Sequence, residues 1–145
     1  MFKSIVICSL TLLAGCQVLP QTTADVRAKA LRDKYCSQQP FAAAFETIKT
    51  AMEKRYDRET GGVAVGATIM PASRRAVRIE NQSPETATLS VTFKVANQDG
   101  LMLVVDLKRT EECPTMLTVN RLNDSFWKQD SKDFAAAIGA STIYR

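Results

Sequence analysis

The hydrophobic period of this chain changes at Gly61-Gly62, and that change constrains the fold more than any other feature of the sequence. Within residues 41–56 the large apolar side chains recur at steps of four, three, four and four, which predicts an amphipathic helix over residues 40–59. Over residues 63–70 the apolar side chains alternate, which predicts a strand. Helices and strands with one apolar face bury those faces against one another. The change of period therefore predicts an α+β fold.

Further strands are predicted from other alternating or apolar runs. Residues 87–95 give the clearest pattern, and residues 75–79 are a weaker candidate whose arginines suit a sheet edge. Asp99-Gly100 has the composition of a tight hairpin turn, so residues 101–109 are expected to pair back on the preceding strand. Residues 115–122 then close the sheet.

Helices are predicted at both ends of the folded part. Residues 24–35 have apolar side chains at roughly helical spacing, and a final helix begins at Asp124 or Asp130. The order helix, helix, four or five antiparallel strands, helix predicts a single two-layer α+β domain over residues 24–145, with a curved antiparallel meander packed on a helix. Because Leu101–Val105 is apolar on both faces, that strand is expected to be central, with the second helix on one face and another element on the other.

The N-terminal residues predict an export signal. An apolar run over residues 5–13 follows Lys3 and the α-amino group and precedes small residues, which is the layout of a secretory signal. A membrane-spanning helix needs about 20 apolar residues, and this run offers roughly half of that. Residues 1–15 are therefore expected to be a removable signal, helical over residues 4–15, and not a membrane span.

The four residues Leu13-Ala14-Gly15-Cys16 resemble the lipobox of bacterial lipoprotein precursors. The resemblance implies cleavage between Gly15 and Cys16 by signal peptidase II, transfer of diacylglycerol to the Cys16 sulfur and acylation, as by palmitate, of the new α-amino group. It also implies a location at the periplasmic face of the outer membrane, because Gln17 is not aspartate. Residues 16–23 are then the lipidated N-terminus and a short tether.

The chain has four cysteines. Cys8 leaves with the signal and Cys16 carries the lipid, so Cys36 and Cys113 remain. In an oxidising compartment these two are expected to form a disulfide that links a helix start to a strand end. The alternative is two free thiols with a redox or metal role, which the lack of a Cys-x-x-Cys motif and of any histidine disfavours.

The charge pattern is moderately basic and dispersed. The net charge of +4 decreases by the single charge of Lys3 when the signal is removed, which leaves too few and too scattered charges for nucleic-acid binding. One face of the first predicted helix is basic, and it is expected to be solvated or, alternatively, to contact anionic lipid head groups near the anchor. That face consists of Arg27, Lys29, Arg32 and Lys34.

No arrangement of residues in the sequence indicates catalysis. A serine triad lacks its base without histidine, and Ser131-Lys132 point apart on a helix. Glu111-Glu112 are expected to solvate a turn, and Asp106 is expected to be exposed beside Lys108. Gly61-Gly62 end a helix, which is the wrong polarity for a phosphate site. We expect no metal ion and no cofactor.

Three functions are compatible with these patterns. The main hypothesis is a non-catalytic lipoprotein that binds an envelope protein by strand addition at the exposed edge of the meander. The alternative is a carrier of a small apolar ligand or lipid between the sheet and the second helix. Its pocket consists of Phe45, Ile48, Met52, Val91 and Phe93, which are also the residues that an ordinary core needs. The third is a cell-wall enzyme, which requires acidic residues to converge in a cleft.

Overall fold

The computed structural model describes residues 20–60, 63–65, 68–70, 73–95, 98–122 and 124–143. These residues form an α+β fold, as the sequence predicts. In chain order the elements are α1 (Thr23–Lys29), β1 (Leu31–Ser37), α2 (Phe41–Tyr56), β2 (Arg58–Thr60), β3 (Val63–Val65), β4 (Thr68–Met70), β5 (Ser73–Gln82), β6 (Thr86–Val95), β7 (Gln98–Lys108), β8 (Thr115–Arg121), α3 (Asp124–Ala137) and β9 (Ser141–Thr142).

Seven of these strands form one antiparallel sheet in the order β2-β5-β6-β7-β8-β1-β9, and β3 pairs with β4 in a separate hairpin. Strands β5 to β8 are consecutive neighbours, which is the predicted meander. The sheet is wider than the four or five strands expected, because β1 adds beside β8 and short strands extend both edges. The single strand predicted over residues 63–70 is wrong, since β3 and β4 pair with each other there.

The helix predicted over residues 24–35 is wrong beyond Lys29. Ala30 is extended, and the chain continues as β1. The apolar residues Leu31 and Tyr35 are four positions apart, and that spacing places them on one face of a helix and equally on one face of a strand. Strand β1 pairs along its whole length with β8, and this tertiary pairing overrides the local helical pattern.

Two further boundaries differ from the prediction. Helix α2 ends at Tyr56, short of the predicted range 40–59, because β2 begins at Arg58. Asp99-Gly100 do not form the hairpin turn, because β7 already begins at Gln98 and both residues pair with β6. The antiparallel pairing of the two strands is nevertheless the one expected.

Helices α2 and α3 lie side by side on one face of the sheet. Helix α2 packs on β5, β6 and β7, and α3 packs on β8, β1 and β9. The α2 side chains Phe45, Ile48, Met52 and Tyr56 are at most 3% exposed, which confirms the predicted core face. They belong to one apolar cluster with the inward strand residues Leu89, Val91, Leu103, Val105, Leu107, Leu117 and Val119.

Helix α1 lies on the opposite face of the sheet, against β7 and β8. Val26 is fully buried there beside Leu101 and Val104. Strand β7 is therefore covered on both faces, as the apolar run Leu101–Val105 predicts. The covering element on the second face is α1, which makes this part of the fold three layers deep where two were expected.

Candidate interaction surfaces

A disulfide joins Cys36 to Cys113, whose Cα atoms are 5.7 Å apart, and it confirms the predicted pairing. Cys36 lies within β1 and Cys113 in the loop between β7 and β8. The bond therefore links β1 to the loop that leads into its neighbour β8, which corrects the expected link between a helix start and a strand end. We call this side of the molecule the cysteine end of the sheet, formed by Gln82, Thr86, Lys108 and Thr115 with the loop that contains Cys113.

Pro20 and Gln21, the first described residues, contact the end of the sheet opposite the cysteine end. The Pro20 carbonyl accepts a hydrogen bond from the Leu101 N–H at 2.8 Å, and the Gln21 side chain donates to the Asp99 carbonyl at 2.6 Å. The tether expected over residues 16–23 therefore extends no further than Leu19. We call Pro20–Lys29 the strap, and the sheet end that its first residues contact, formed by Thr60, Ser73, Val95 and Gln98, the entry end.

Arg27 fixes the strap to the middle of the sheet. Its Nε and Nη2 atoms donate to the two carboxylate oxygens of Asp106 at 3.0 and 2.5 Å. Asp106 also accepts hydrogen bonds from Thr88 at 2.8 Å and from Asn120 at 2.9 Å. The hydrogen bond to Asp106 raises the pKa of the Arg27 guanidinium. The exposure predicted for Asp106 beside Lys108 is therefore wrong, since its carboxylate has partners from three elements and is 26% exposed.

The basic face predicted on residues 24–35 does not exist as one surface. Arg27 is bound to Asp106, and Arg32 and Lys34 lie on β1. The Arg32 guanidinium donates to the Arg27 carbonyl at 2.8 Å. The sequence analysis did not predict the hydrogen bonds between Arg27 and Asp106. A signal for them was present, because a carboxylate inside an apolar strand needs hydrogen-bond partners.

Asp130 joins α2 to α3. Its side chain is 4% exposed and accepts hydrogen bonds from the Arg55 guanidinium and the Tyr56 hydroxyl. Arg55 also donates to Asp133 at 3.2 Å, and the Tyr56 ring packs edge-on against Phe134. Burial and then the contact with Asp130 raise the pKa of the Tyr56 phenol, so the hydroxyl remains a donor at neutral pH. These contacts stabilise the packing of two helices.

A second ion pair joins β1 to β8. The Nε and Nη2 atoms of Arg121 donate to the carboxylate oxygens of Asp33 at 2.6 and 3.1 Å. The Arg121 side chain is 6% exposed and the Asp33 side chain 25%. The hydrogen bond from Arg121, assisted by Ser131, lowers the pKa of Asp33 from its ordinary value of 3.8 although burial opposes this. Asp33 is therefore ionised in the folded protein near neutral pH.

We expect Asp33→Asn to lower the free energy of unfolding at pH 7 by about 2 kcal/mol, less than for a fully buried pair because Asp33 is 25% exposed. Since folding depresses the pKa of Asp33, its contribution is fully present above the unfolded-state pKa of about 4. It is lost as the pH falls through the lower folded-state value. In urea denaturation the difference in unfolding free energy between the variant and the unsubstituted protein should therefore decrease below about pH 4.

Glu111→Gln is the matched control for this experiment, because it removes one negative charge at an exposed turn. It should change the unfolding free energy at pH 7 by no more than about 0.5 kcal/mol. The assigned role of the ion pair is contradicted if Asp33→Asn and the unsubstituted protein differ in unfolding free energy by the same amount from neutral pH to about pH 2.

The other residues considered for catalysis lie in ordinary structural settings. Ser131 is buried with its hydroxyl 3.0 Å from the Tyr35 hydroxyl, whereas the adjacent Lys132 is exposed. Glu111 and Glu112 are both exposed in the turn before β8. Across the described residues, no three side chains of His, Cys, Asp or Glu come close enough together to hold a metal ion.

The residues considered for an apolar ligand pocket are packed together. Phe45, Ile48, Met52 and Val91 are at most 3% exposed and belong to the main core cluster. Phe93 lies on β6 at intermediate exposure. Four of the five residues therefore pack together in the filled hydrophobic core, which favours a role in folding over a ligand site.

The described part of the molecule includes cavities that are open to solvent. One of about 430 Å³ lies between the strap and the sheet, next to Thr22, Arg78 and Thr92. Another, of about 590 Å³, lies at the cysteine end beside Glu85 and Arg109. Both are lined mainly by polar groups, so neither has the lining that a small apolar ligand needs.

Strand β5 has an open edge. Strand β2 pairs only with residues 73–75, so residues 76–82 have β6 on one side and no described strand on the other. Ile79 is 45% exposed on this stretch, and of the described large apolar side chains only it and Leu31, at 49%, are so exposed. Arg78 and Glu80 beside Ile79 are also exposed. This stretch has the edge position that the sequence predicts for residues 75–79.

The lipobox residues Gly15 and Cys16, and the helix expected over residues 4–15, lie outside the described residues. None of the described helices is long and apolar enough to cross a membrane. Comparison of the chain with protein-family models, with curated proteins and with solved structures gave no match.

Proposed function

We propose that the protein is a non-catalytic lipoprotein, acylated at Cys16 and held at the periplasmic face of the outer membrane, that acts by binding another envelope protein. The lipobox resemblance of Leu13-Ala14-Gly15-Cys16 supports the location. The disulfide is consistent with an oxidising compartment. The observation that carries the binding role is the open edge of β5, residues 76–82.

An open sheet edge presents backbone N–H and C=O groups that an extended segment of a partner can pair with. Residues 76–82 extend over about 23 Å, which is the length of an ordinary strand. Ile79 lies near the middle of this stretch and exposes an apolar side chain between Arg78 and Glu80. We expect the partner to contribute an extended strand with an apolar residue close to Ile79.

The edge variant Ile79→Lys is expected to reduce partner binding by about tenfold or more, because it places a charge where an apolar contact is expected. Chemical crosslinking in intact cells, followed by purification of the lipoprotein, measures the recovery of the bound protein. The unsubstituted protein should recover one protein in stoichiometric amount.

Leu31→Lys is the matched control, because Leu31 is equally exposed but lies on β1 near the other edge of the sheet. It should leave recovery of the partner unchanged. Recovery that is equal for Ile79→Lys and Leu31→Lys excludes the β5 edge as the binding site. If no protein is recovered and an organic extract of the purified lipoprotein contains a stoichiometric lipid, the carrier function replaces this proposal.

A further inference from the structure

We infer that the entry end of the sheet faces the lipid bilayer and that its basic residues contact anionic head groups. The cysteine end then points away from the membrane, and the open edge of β5 runs along the side of the sheet up to that end. This inference rests on the proposed acylation of Cys16, and it adds an orientation and a lipid-contacting surface to that proposal.

The link between the anchor and the folded part is short. Only Gln17, Val18 and Leu19 separate Cys16 from Pro20, and four peptide units reach at most about 14 Å. The Pro20 carbonyl is hydrogen-bonded to the N–H of Leu101 in β7. With the acylated sulfur at the bilayer interface, Leu101 therefore stays within about 20 Å of that interface.

The strap keeps this link short. Val26 is fully buried against the sheet, and Arg27 makes two hydrogen bonds to Asp106. If the strap detached, the link would run from Cys16 to Ala30 and reach about 48 Å. The contacts of the strap thus decide how far the domain can move from the membrane.

The length of the sheet excludes the inverted orientation. Strand β6 has 10 residues and is about 33 Å long. Leu101, to which Pro20 is hydrogen-bonded, is seven residues from Lys108 at the cysteine end, about 23 Å along β7. With the cysteine end on the bilayer, Leu101 would lie at least about 23 Å above the surface, which exceeds its limit of about 20 Å. The entry end must therefore be close to the membrane.

Charge supports the same orientation. At the cysteine end, the loops and strand ends contain Glu85, Glu111 and Glu112 against Lys108 and Arg109. At the entry end, Arg58 and Arg74 occupy neighbouring strands, Lys94 is exposed and Arg75 half-buried, against Glu59 and Asp99. An anionic surface attracts the entry end and repels the cysteine end. The short link also leaves no room for a folded partner between this end and the bilayer.

The orientation can be measured with two exposed lysines at opposite ends of the sheet, Lys94 and Lys108. The acylated protein is purified from membranes and reconstituted into vesicles with or without phosphatidylglycerol, and each lysine is labelled with an amine-reactive reagent. Mass spectrometry gives the extent of labelling at each position. On anionic vesicles we expect Lys94 to be labelled about fivefold less than Lys108, relative to their ratio in detergent.

Two pairs of variants separate the contribution of charge from that of the short link. Arg74→Gln/Arg75→Gln should remove most of the protection of Lys94 on anionic vesicles. Arg109→Gln/Lys132→Gln removes the same net charge from exposed positions away from the entry end and should retain the protection.

Insertion of about ten Gly and Ser residues between Leu19 and Pro20 lengthens the link without altering the folded part. It should also abolish the protection of Lys94, because the entry end is then no longer held at the interface. Protection that survives this insertion overturns the role assigned to the short link.

Equal labelling of Lys94 and Lys108 on anionic vesicles, in a protein whose acylation is verified, overturns the orientation and leaves the proposed function standing. A mass spectrum in which Cys16 carries no lipid overturns the proposed function and the orientation together. The two failures are therefore distinguishable in one sample.

Discussion

Replacement of Cys16 by serine is expected to remove all acyl groups from the protein and to release it from washed membranes. The thioether to diacylglycerol requires the thiol of Cys16, and no other group near the end of the signal can replace it. Two or three acyl chains, at about 0.8 kcal/mol per buried methylene, anchor a protein effectively permanently, and the domain has no other anchor of that strength in our proposal. Intact mass spectrometry together with alkaline extraction of membranes measures both effects.

Cys8→Ser is the matched control, because Cys8 lies within the predicted signal and leaves with it. This variant should give a mature protein of unchanged mass that remains in the membrane. The lipoprotein assignment is wrong if the mature unsubstituted protein has a bare Cys16 thiol, or if it retains Met1.

The second large effect is expected for the disulfide. Cys36→Ala/Cys113→Ala should lower the free energy of unfolding by about 4 to 5 kcal/mol, because the bond spans a sequence separation of 77 residues. The loss has this size because the bond restricts the conformational freedom of the unfolded chain. Domains of this size are stable by about 5 to 15 kcal/mol, so the variant should lose a large part of its stability in urea denaturation.

Reduction of the unsubstituted protein provides the control for this prediction. A reductant should bring its unfolding free energy to that of the double variant and should leave the double variant unchanged. A loss of less than about 1 kcal/mol of unfolding free energy in the double variant contradicts the predicted stabilisation, since chain entropy alone accounts for more than that.

The main core could be predicted from the sequence because it depends on local periodicity. The stripe from Phe45 to Tyr56 and the alternation over residues 87–95 specify which side chains face inward, and the stripe and the strand residues Ala87, Leu89 and Val91 are buried. Phe93, beyond a register shift after Val91, is only half-buried. The two-sided apolar run Leu101–Val105 likewise indicates a covered central strand. Each of these patterns reflects the solvent exposure of consecutive residues, which a sequence carries directly.

The conformation of residues 24–37 and the position of the strap could not be predicted in this way. Leu31 and Tyr35 fit both a helix and a strand, and only the pairing of β1 with β8 decides between them. The partner of Arg27 is Asp106, 79 positions away, and Asp33 lies 88 positions from Arg121. Local patterns contain no information on which of many charged residues meet across such separations.

The sequence by itself determined the α+β class, the apolar faces, the pairing of Cys36 with Cys113 and the predicted anchor at Cys16, because these depend on residue type, local period and a small choice of partners. The tertiary structure decided that Pro20–Lys29 returns onto the sheet, that β5 has an open edge and that the two ends of the sheet differ in charge. These features arise only when strands distant in the chain take their places side by side, since register and edge position are properties of the assembled sheet.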